Sequence, residues 1–262
     1  MAEDGVTHMF LLKRLSPFLV AVLNLAFLEA ILKWPSLFFV LAGVLIFFNL
    51  FFVGFLAIKN LGFKVTLRFW LTYFMLTMAV NASFLFIDNA VLRQGLIVIH
   101  VLCIAVYQEF LFNFLYRPEK YKVYSLENLN NIINLLTVFL ANLAIFALIV
   151  FMNMAVWLSL LIEMCLIICS LILLFRANKL ELKGNGWLLV ASGLVVVEFF
   201  IIFTWLPFNF FIKAVLISAI YYLLSGVAKL IANQQLYKNT FLVFLSVAVV
   251  IWTALLVTSR WI

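Results

Sequence analysis

The sequence predicts an all-α integral membrane protein of about nine transmembrane helices, with the N-terminus cytoplasmic and the C-terminus outside. Three observations carry this expectation. First, 68% of the 262 residues are hydrophobic and 10% are charged, where a soluble domain carries about 45–50% and about 25%. Second, the apolar residues fall into blocks of about 20, the length that crosses a hydrocarbon core at 1.5 Å per residue. Third, Lys and Arg crowd into alternate gaps between those blocks, as the positive-inside rule requires. The mean hydropathy of +1.27 leaves no polar stretch long enough to bury the core of a separate soluble domain. The longest such stretch runs roughly over Arg117–Asn131. Residues 1–262 therefore read as a single polytopic transmembrane domain.

The blocks run approximately over 15–32, 36–58, 69–87, 94–116, 132–152, 155–175, 186–206, 209–230 and 240–259. The first follows Lys13 and Arg14, as a signal-peptide core would, but it continues to about Ile31 without a small-x-small site before Lys33. It is read as a membrane helix. Lys33-Trp34-Pro35-Ser36 separates the first two blocks, and Trp205-Leu206-Pro207-Phe208-Asn209 the seventh and eighth. Proline cannot continue a helix interior and restrains the residue before it, so both are tight turns. All four prolines, Pro17, Pro35, Pro118 and Pro207, are expected at helix ends. Gly184-Asn185-Gly186 reads as a loop.

The stretch from Leu135 to Phe175 carries one charge, Glu163. As a single helix it would be about 60 Å long, twice the hydrocarbon thickness, and so must fold back. Asn153 is the one turn-prone residue near its middle, and Asn tolerates the left-handed conformation that closes such a hairpin.

With the N-terminus inside, the inner side holds Lys13, Arg14, Lys59, Lys64, Arg68, Arg117, Lys120, Lys122, Arg176, Lys179, Lys183, Lys229 and Lys238. The outer side holds Lys33, Arg93, Lys213 and Arg260. Deleting or adding one helix midway would scramble this asymmetry. Interfacial tryptophans agree, with Trp34, Trp205 and Trp261 at outer ends and Trp70 and Trp187 at inner ends. The net charge of +7 is thus explained by topology and lipid headgroups, not nucleic acid. A weak parallel repeat is suggested between 13–87 and 179–262, in which Glu29 and Glu198 each precede an outer Trp-Pro turn; turn Pro and interfacial Trp acquired independently would look the same.

An ionisable residue at bilayer depth costs about 2.5–3.5 kcal/mol and should face protein or water. Glu163, Glu198 and His100 are expected at similar depth, roughly 10 Å below the outer surface. Asn24, Asn81 and Asn142 fall in the same layer on the first, third and fifth helices. One reading is an outward-facing polar pocket, with Glu163 and Glu198 as proton or cation sites, His100 as a relay, and Asn81 and Asn142 among the binding groups. The other is interhelical hydrogen bonding, in which Asn, His and a protonated Glu fasten helices together. On the inner side, Glu109 and Asn113 share a face at i,i+4 beside Gln108. Glu109 is expected to pair with Arg117, Lys120 or a headgroup. Asn131, Asn134 and Asn142 form a stripe read as a helix contact face.

Several chemistries lack their residues. His8 and His100 are the two histidines, and Asp4 and Asp88 the two aspartates. They offer no HExxH, no intramembrane Asp dyad, no Asp-rich magnesium cluster and no His pair for haem. No GxGxxG, P-loop or GxSxG occurs. Cys103, Cys165 and Cys169 lie in apolar blocks and suit packing. No catalytic residue, metal or cofactor is therefore expected, and the balance leans against an enzyme. Three readings stand: a non-catalytic component or scaffold of an envelope assembly, a small secondary transporter using the polar layer, and a lipid-active membrane enzyme with a cleft near Glu109 or Glu163. Partners are the lipid bilayer and another membrane protein. Short loops and the positive-inside bias suit a prokaryotic cytoplasmic membrane.

Overall fold

The computed structural model describes residues 2–181, 184–234 and 238–258. Lys183, Arg260 and Trp261 lie outside them, as does the side chain of Lys238. The described residues form nine α-helices and no strand: α1 Ala2–Lys33, α2 Phe38–Leu61, α3 Phe63–Phe84, α4 Ala90–Tyr116, α5 Ser125–Met152, α6 Val156–Ala177, α7 Gly186–Trp205, α8 Phe210–Ala232 and α9 Lys238–Thr258. Seven of these, all except α3 and α9, are long and apolar enough to cross a membrane. α9 contributes a shorter apolar stretch, Asn239–Leu255. α3 begins at Phe63 rather than near residue 69, so its first turns carry Lys64 and Arg68. The backbone ladder runs past the apolar block until Gly62, at φ +72, breaks it. Large side chains point outward throughout: Phe39 is 84% exposed and Val91 78%. Such a surface is solvated by lipid, not water.

The chain divides into two compact units, Met1–Ile133 and Asn134–Ile262, and the division falls within α5.

In the first unit, α1 packs against α2 and α4, α2 against α3 and α4, and α3 against α4. Pro17 corrects one expectation, because it lies inside α1 and not at its end. A proline at this position has no N–H for the Lys13 carbonyl. The Ser16 hydroxyl replaces that donor, bonding the Lys13 carbonyl at 2.8 Å, so the helix continues through. Between α1 and α2, Pro35–Leu37 forms a single 3-10 turn, as the Trp-Pro break predicts. On α3, Trp70 is not simply an interfacial anchor. Its indole N–H donates to the Leu50 carbonyl of α2 at 2.8 Å, and its ring lies where a β-carbon on Gly54 would come within 3.0 Å of it. Glycine at 54 is what permits that approach.

In the second unit, α6 packs on α7 and α8, α7 on α8, and α8 on α9. The core joins Phe146 of α5, stacked on Phe200 of α7 at 4.7 Å, to Ile167, Leu171 and Val196. Lipid tails are as apolar as these side chains, so the gain is close packing rather than removal from water. The α5–α6 hairpin turns at Asn153, whose φ is +49, and the Met154 N–H returns to the Leu148 carbonyl at 3.2 Å. α6 ends on Lys179 at φ +58. The Leu180 N–H there bonds the Phe175 carbonyl at 2.9 Å and the Lys179 N–H bonds that of Arg176 at 3.3 Å, the Schellman pattern that satisfies the last carbonyls. The Pro207 break ends α7 at Trp205, and the Asn209 side chain caps α8 by accepting from the Phe211 N–H at 3.1 Å.

Replacing Asn153 tests the hairpin. A left-handed residue with a β-branched side chain costs about 1–2 kcal/mol, while glycine adopts it freely. Asn153→Val is expected to lower unfolding stability in detergent by about that amount, and Asn153→Gly to leave it unchanged or raise it, read by thermal melts of the two variants.

Candidate functional site: buried polar clusters in each unit

Helix α1 carries Asn24 into the first unit one turn beyond Val20, and the Asn24 amide donates to the Val20 carbonyl at 2.8 Å. That carbonyl can only accept, which fixes the orientation of the Asn24 amide. Its second N–H donates to Asn49 Oδ1 of α2 at 2.7 Å, and Asn49 Nδ2 returns a bond to Asn24 Oδ1 at 3.1 Å. Asn49 Nδ2 also donates to Thr77 Oγ1 of α3 at 3.1 Å. From α4, His100 Nε2 approaches Asn24 Oδ1 at 3.0 Å. Because that oxygen only accepts, Nε2 carries the hydrogen. His100 Nδ1 is then left buried without a partner. One cluster thus joins four helices through Asn24, Asn49, Thr77 and His100, all buried. Asn81 sits one helical turn along, donating to the Thr77 carbonyl at 2.8 Å.

A second cluster in the same unit uses groups from α2 to α5. Tyr73 donates to Gln108 Oε1 at 2.7 Å, and Gln108 Nε2 donates to the Phe52 carbonyl at 3.3 Å. Thr72 and Tyr107 both donate to Asn130 Oδ1, at 3.1 and 3.2 Å. Glu109 does pair with a cation, but with Arg14 of α1 rather than Arg117 or Lys120. The guanidinium spans both carboxylate oxygens at 2.6 and 2.7 Å, and Asn113 adds a bond at 3.1 Å. Both bonds come from the one nitrogen Nη1 of Arg14, and this charge-assisted contact ties α1 to α4 at this end. In the α4–α5 connection, Tyr121 donates to Glu127 at 2.9 Å; burial and that bond push its phenol above the usual range.

The second unit buries Asn142 of α5 and Glu163 of α6 completely. Asn142 Nδ2 donates to Glu163 Oε1 at 3.3 Å and to the Val138 carbonyl at 3.0 Å. The other two oxygens, Asn142 Oδ1 and Glu163 Oε2, are buried with no partner. Both are acceptors of a carboxylate–amide pair, which therefore lacks a donor that a protonated Glu163 would supply. Along the same face of α5, Asn134 donates to the Ser170 carbonyl of α6 at 2.8 Å and to Tyr221 Oη of α8 at 2.9 Å. Glu198 stands apart on α7, exposed on its surface, and it is not a partner of Glu163 or Asn142. Lys213, expected at an outer end, is buried in the first turn of α8 and donates to the Thr204 carbonyl at 3.2 Å.

The expected polar residues thus separate by unit. His100 and Asn24 meet in the first, where Asn81 bonds the Thr77 carbonyl of its own helix and its Oδ1 has no partner among the described residues, and Asn142 and Glu163 meet in the second. Asn49 is not among the expected polar residues, and its signal in the sequence is its isolation in the Phe-rich run Phe47-Phe48-Asn49-Leu50-Phe51. Tyr73, Tyr107 and Tyr221 also went unconsidered, since a tyrosine is apolar over most of its surface and polar at its tip. Cys165 and Cys169 are free and exposed on α6. Among the described residues no group of three His, Cys, Asp or Glu side chains gathers as metal ligands would.

Comparison of the chain with protein-family models, curated proteins and solved structures finds no match. Fold and site together define a class, the multi-pass helical membrane protein with buried polar clusters linking its helices.

The Asn24 cluster gives a direct test. Asn24→Leu removes the partner of His100 Nε2 and half the amide pair with Asn49. Leaving such groups unpaired costs about 1–3 kcal/mol. Thermal or denaturant unfolding in detergent is expected to show a loss in that range, while Gln94→Ala, at an exposed position of α4, leaves stability unchanged.

Proposed function

We propose that this protein is a non-catalytic multi-pass component of a membrane assembly, its intramembrane polar groups serving to fasten helices. The observation that carries this reading is the bonding of the polar groups to one another across helices. Asn24, Asn49, Thr77 and His100 bond among themselves, as do Asn142 and Glu163. Each contact joins different helices and each group is buried, which is the arrangement of interhelical hydrogen bonding in lipid. Glu198, exposed on an apolar helix, is costly against lipid and suits a contact with another membrane protein.

A second reading, a secondary transporter for a proton or cation, draws support from one feature. Glu163 Oε2 and Asn142 Oδ1 are both buried with no hydrogen-bond partner among the described residues, and a proton on Glu163 would add a donor to the pair. Glu163→Gln separates the readings. The glutamine amide supplies the missing donor to Asn142, so the component reading expects unfolding stability within about 0.5 kcal/mol of the parent or higher. It also expects proteoliposomes under an imposed proton gradient to leak no faster than protein-free vesicles. Proton uptake by the parent protein that Glu163→Gln abolishes would establish the transporter instead.

The thirteen-to-four distribution of Lys and Arg supports an N-terminus inside and a C-terminus outside, in a prokaryotic cytoplasmic membrane. Reporter fusions check it. Alkaline phosphatase is expected to be active when fused after Trp205 or the C-terminus and inactive after Leu61 or Arg117; the opposite pattern inverts the topology.

A further inference from the structure

In the first unit, an open groove of about 570 Å³ runs along α2, walled by α1 and α3. Its lining extends from Phe47 to Lys59, about 18 Å along a helix at 1.5 Å per residue. Half of a hydrocarbon core about 30 Å thick is one leaflet, about 15 Å. The groove therefore has the length of one acyl chain. Phe47, Phe51 and Trp70 make its wall apolar and aromatic, and two cations, Lys13 and Lys59, border it.

Those two lysines give the groove a chemical direction. Lys59 stands exposed near the end of α2. Lys13 is 8% exposed, and its ammonium donates to Tyr116 Oη at 2.8 Å. The Tyr116 hydroxyl in turn donates to the Leu56 carbonyl at 2.9 Å. Among the described residues the ammonium also lies over two ring faces, Tyr116 at 4.6 Å and Phe55 at 5.9 Å. An ammonium has three donors, and this one is held by a neutral hydroxyl and aromatic faces. The carboxylate of Glu109 is taken by Arg14 next along the helix. A buried cation with donors to spare, at the border of an apolar channel one leaflet long, matches an anion that carries a hydrocarbon tail.

We propose that this groove binds one anionic phospholipid, with an acyl chain against Phe47, Phe51 and Trp70 and the phosphate against Lys13 and Lys59. Basic pockets between membrane helices select anionic headgroups in this way. The site is independent of the assembly reading above, since it uses none of the clustered amides or carboxyls.

Native mass spectrometry of the full-length protein tests it. The protein in mild detergent is offered an equimolar mixture of phosphatidylglycerol and phosphatidylcholine with matched chains. The expected result is one retained phosphatidylglycerol, favoured over phosphatidylcholine on the order of tenfold. The double variant Lys13→Gln/Lys59→Gln is expected to bring the two lipids to near parity, and Lys59→Gln alone, at an exposed position that folding does not need, to lose part of the preference. A control, Lys120→Gln/Lys122→Gln in the α4–α5 connection, keeps the full preference. Equal retention of both lipids by the parent protein, retention of neither, or a preference that survives Lys59→Gln and falls in the control would overturn the proposal.

Discussion

Lipid offers a side chain no hydrogen-bond partner, and most of this fold answers to that one fact. A buried polar group is stabilised by a donor or acceptor on another helix or on its own backbone, and among the described residues few, His100 Nδ1, Asn142 Oδ1 and Glu163 Oε2 among them, go without. Asn24 meets this in full: its two N–H groups and its carbonyl oxygen bond Val20, Asn49 and His100. Packing alone is a weak guide in such a molecule, because a leucine facing a neighbour and a leucine facing an acyl chain are solvated almost alike. The amides and hydroxyls therefore do much of the selecting. Asn49 aligns α2 with both α1 and α3, and Asn134 aligns α5 with α6 and α8.

The same constraint explains what could be read in the sequence and what could not. Helix number and breaks are matters of length and backbone chemistry, so Pro35, Pro207 and Asn153 each announce a turn that the structure contains. Pro17 announces a break that does not occur, because a neighbouring serine supplies the missing donor. Facing is a different matter. In a water-soluble helix the polar side marks the outside, but here Phe39 and Val91 are outside and equally apolar. With that contrast removed, Glu163 and Glu198 look the same in sequence. One proves buried beside an amide and the other exposed. Helix number and breaks were legible; rotation about a helix axis was not.

Glycine and aromatic residues supply a second layer of specification. Gly54 lets Trp70 reach the Leu50 carbonyl. Gly226 does the same for α9: a β-carbon there would come within 2.5 Å of the Phe244 ring, so α8 and α9 approach closely only because that position is bare. Neither glycine serves a turn. Both act by absence, admitting a ring that any larger residue would push away.

The Asn24 cluster also carries a chronology. Synthesis from the N-terminal side delivers α1 before α2, α3 and α4, with Asn24 already holding the Val20 carbonyl of its own helix. The next helix delivers Asn49, which answers both the remaining N–H and the carbonyl oxygen. Thr77 arrives with the third and His100 with the fourth. Each newly synthesised helix thus finds a bonding position left open by a helix made earlier, and neither asparagine of this cluster waits for a segment beyond the fourth helix. Order of synthesis and order of bonding coincide, so the nascent chain need not keep an unpaired amide in lipid for longer than its ribosome takes to make the following hairpin.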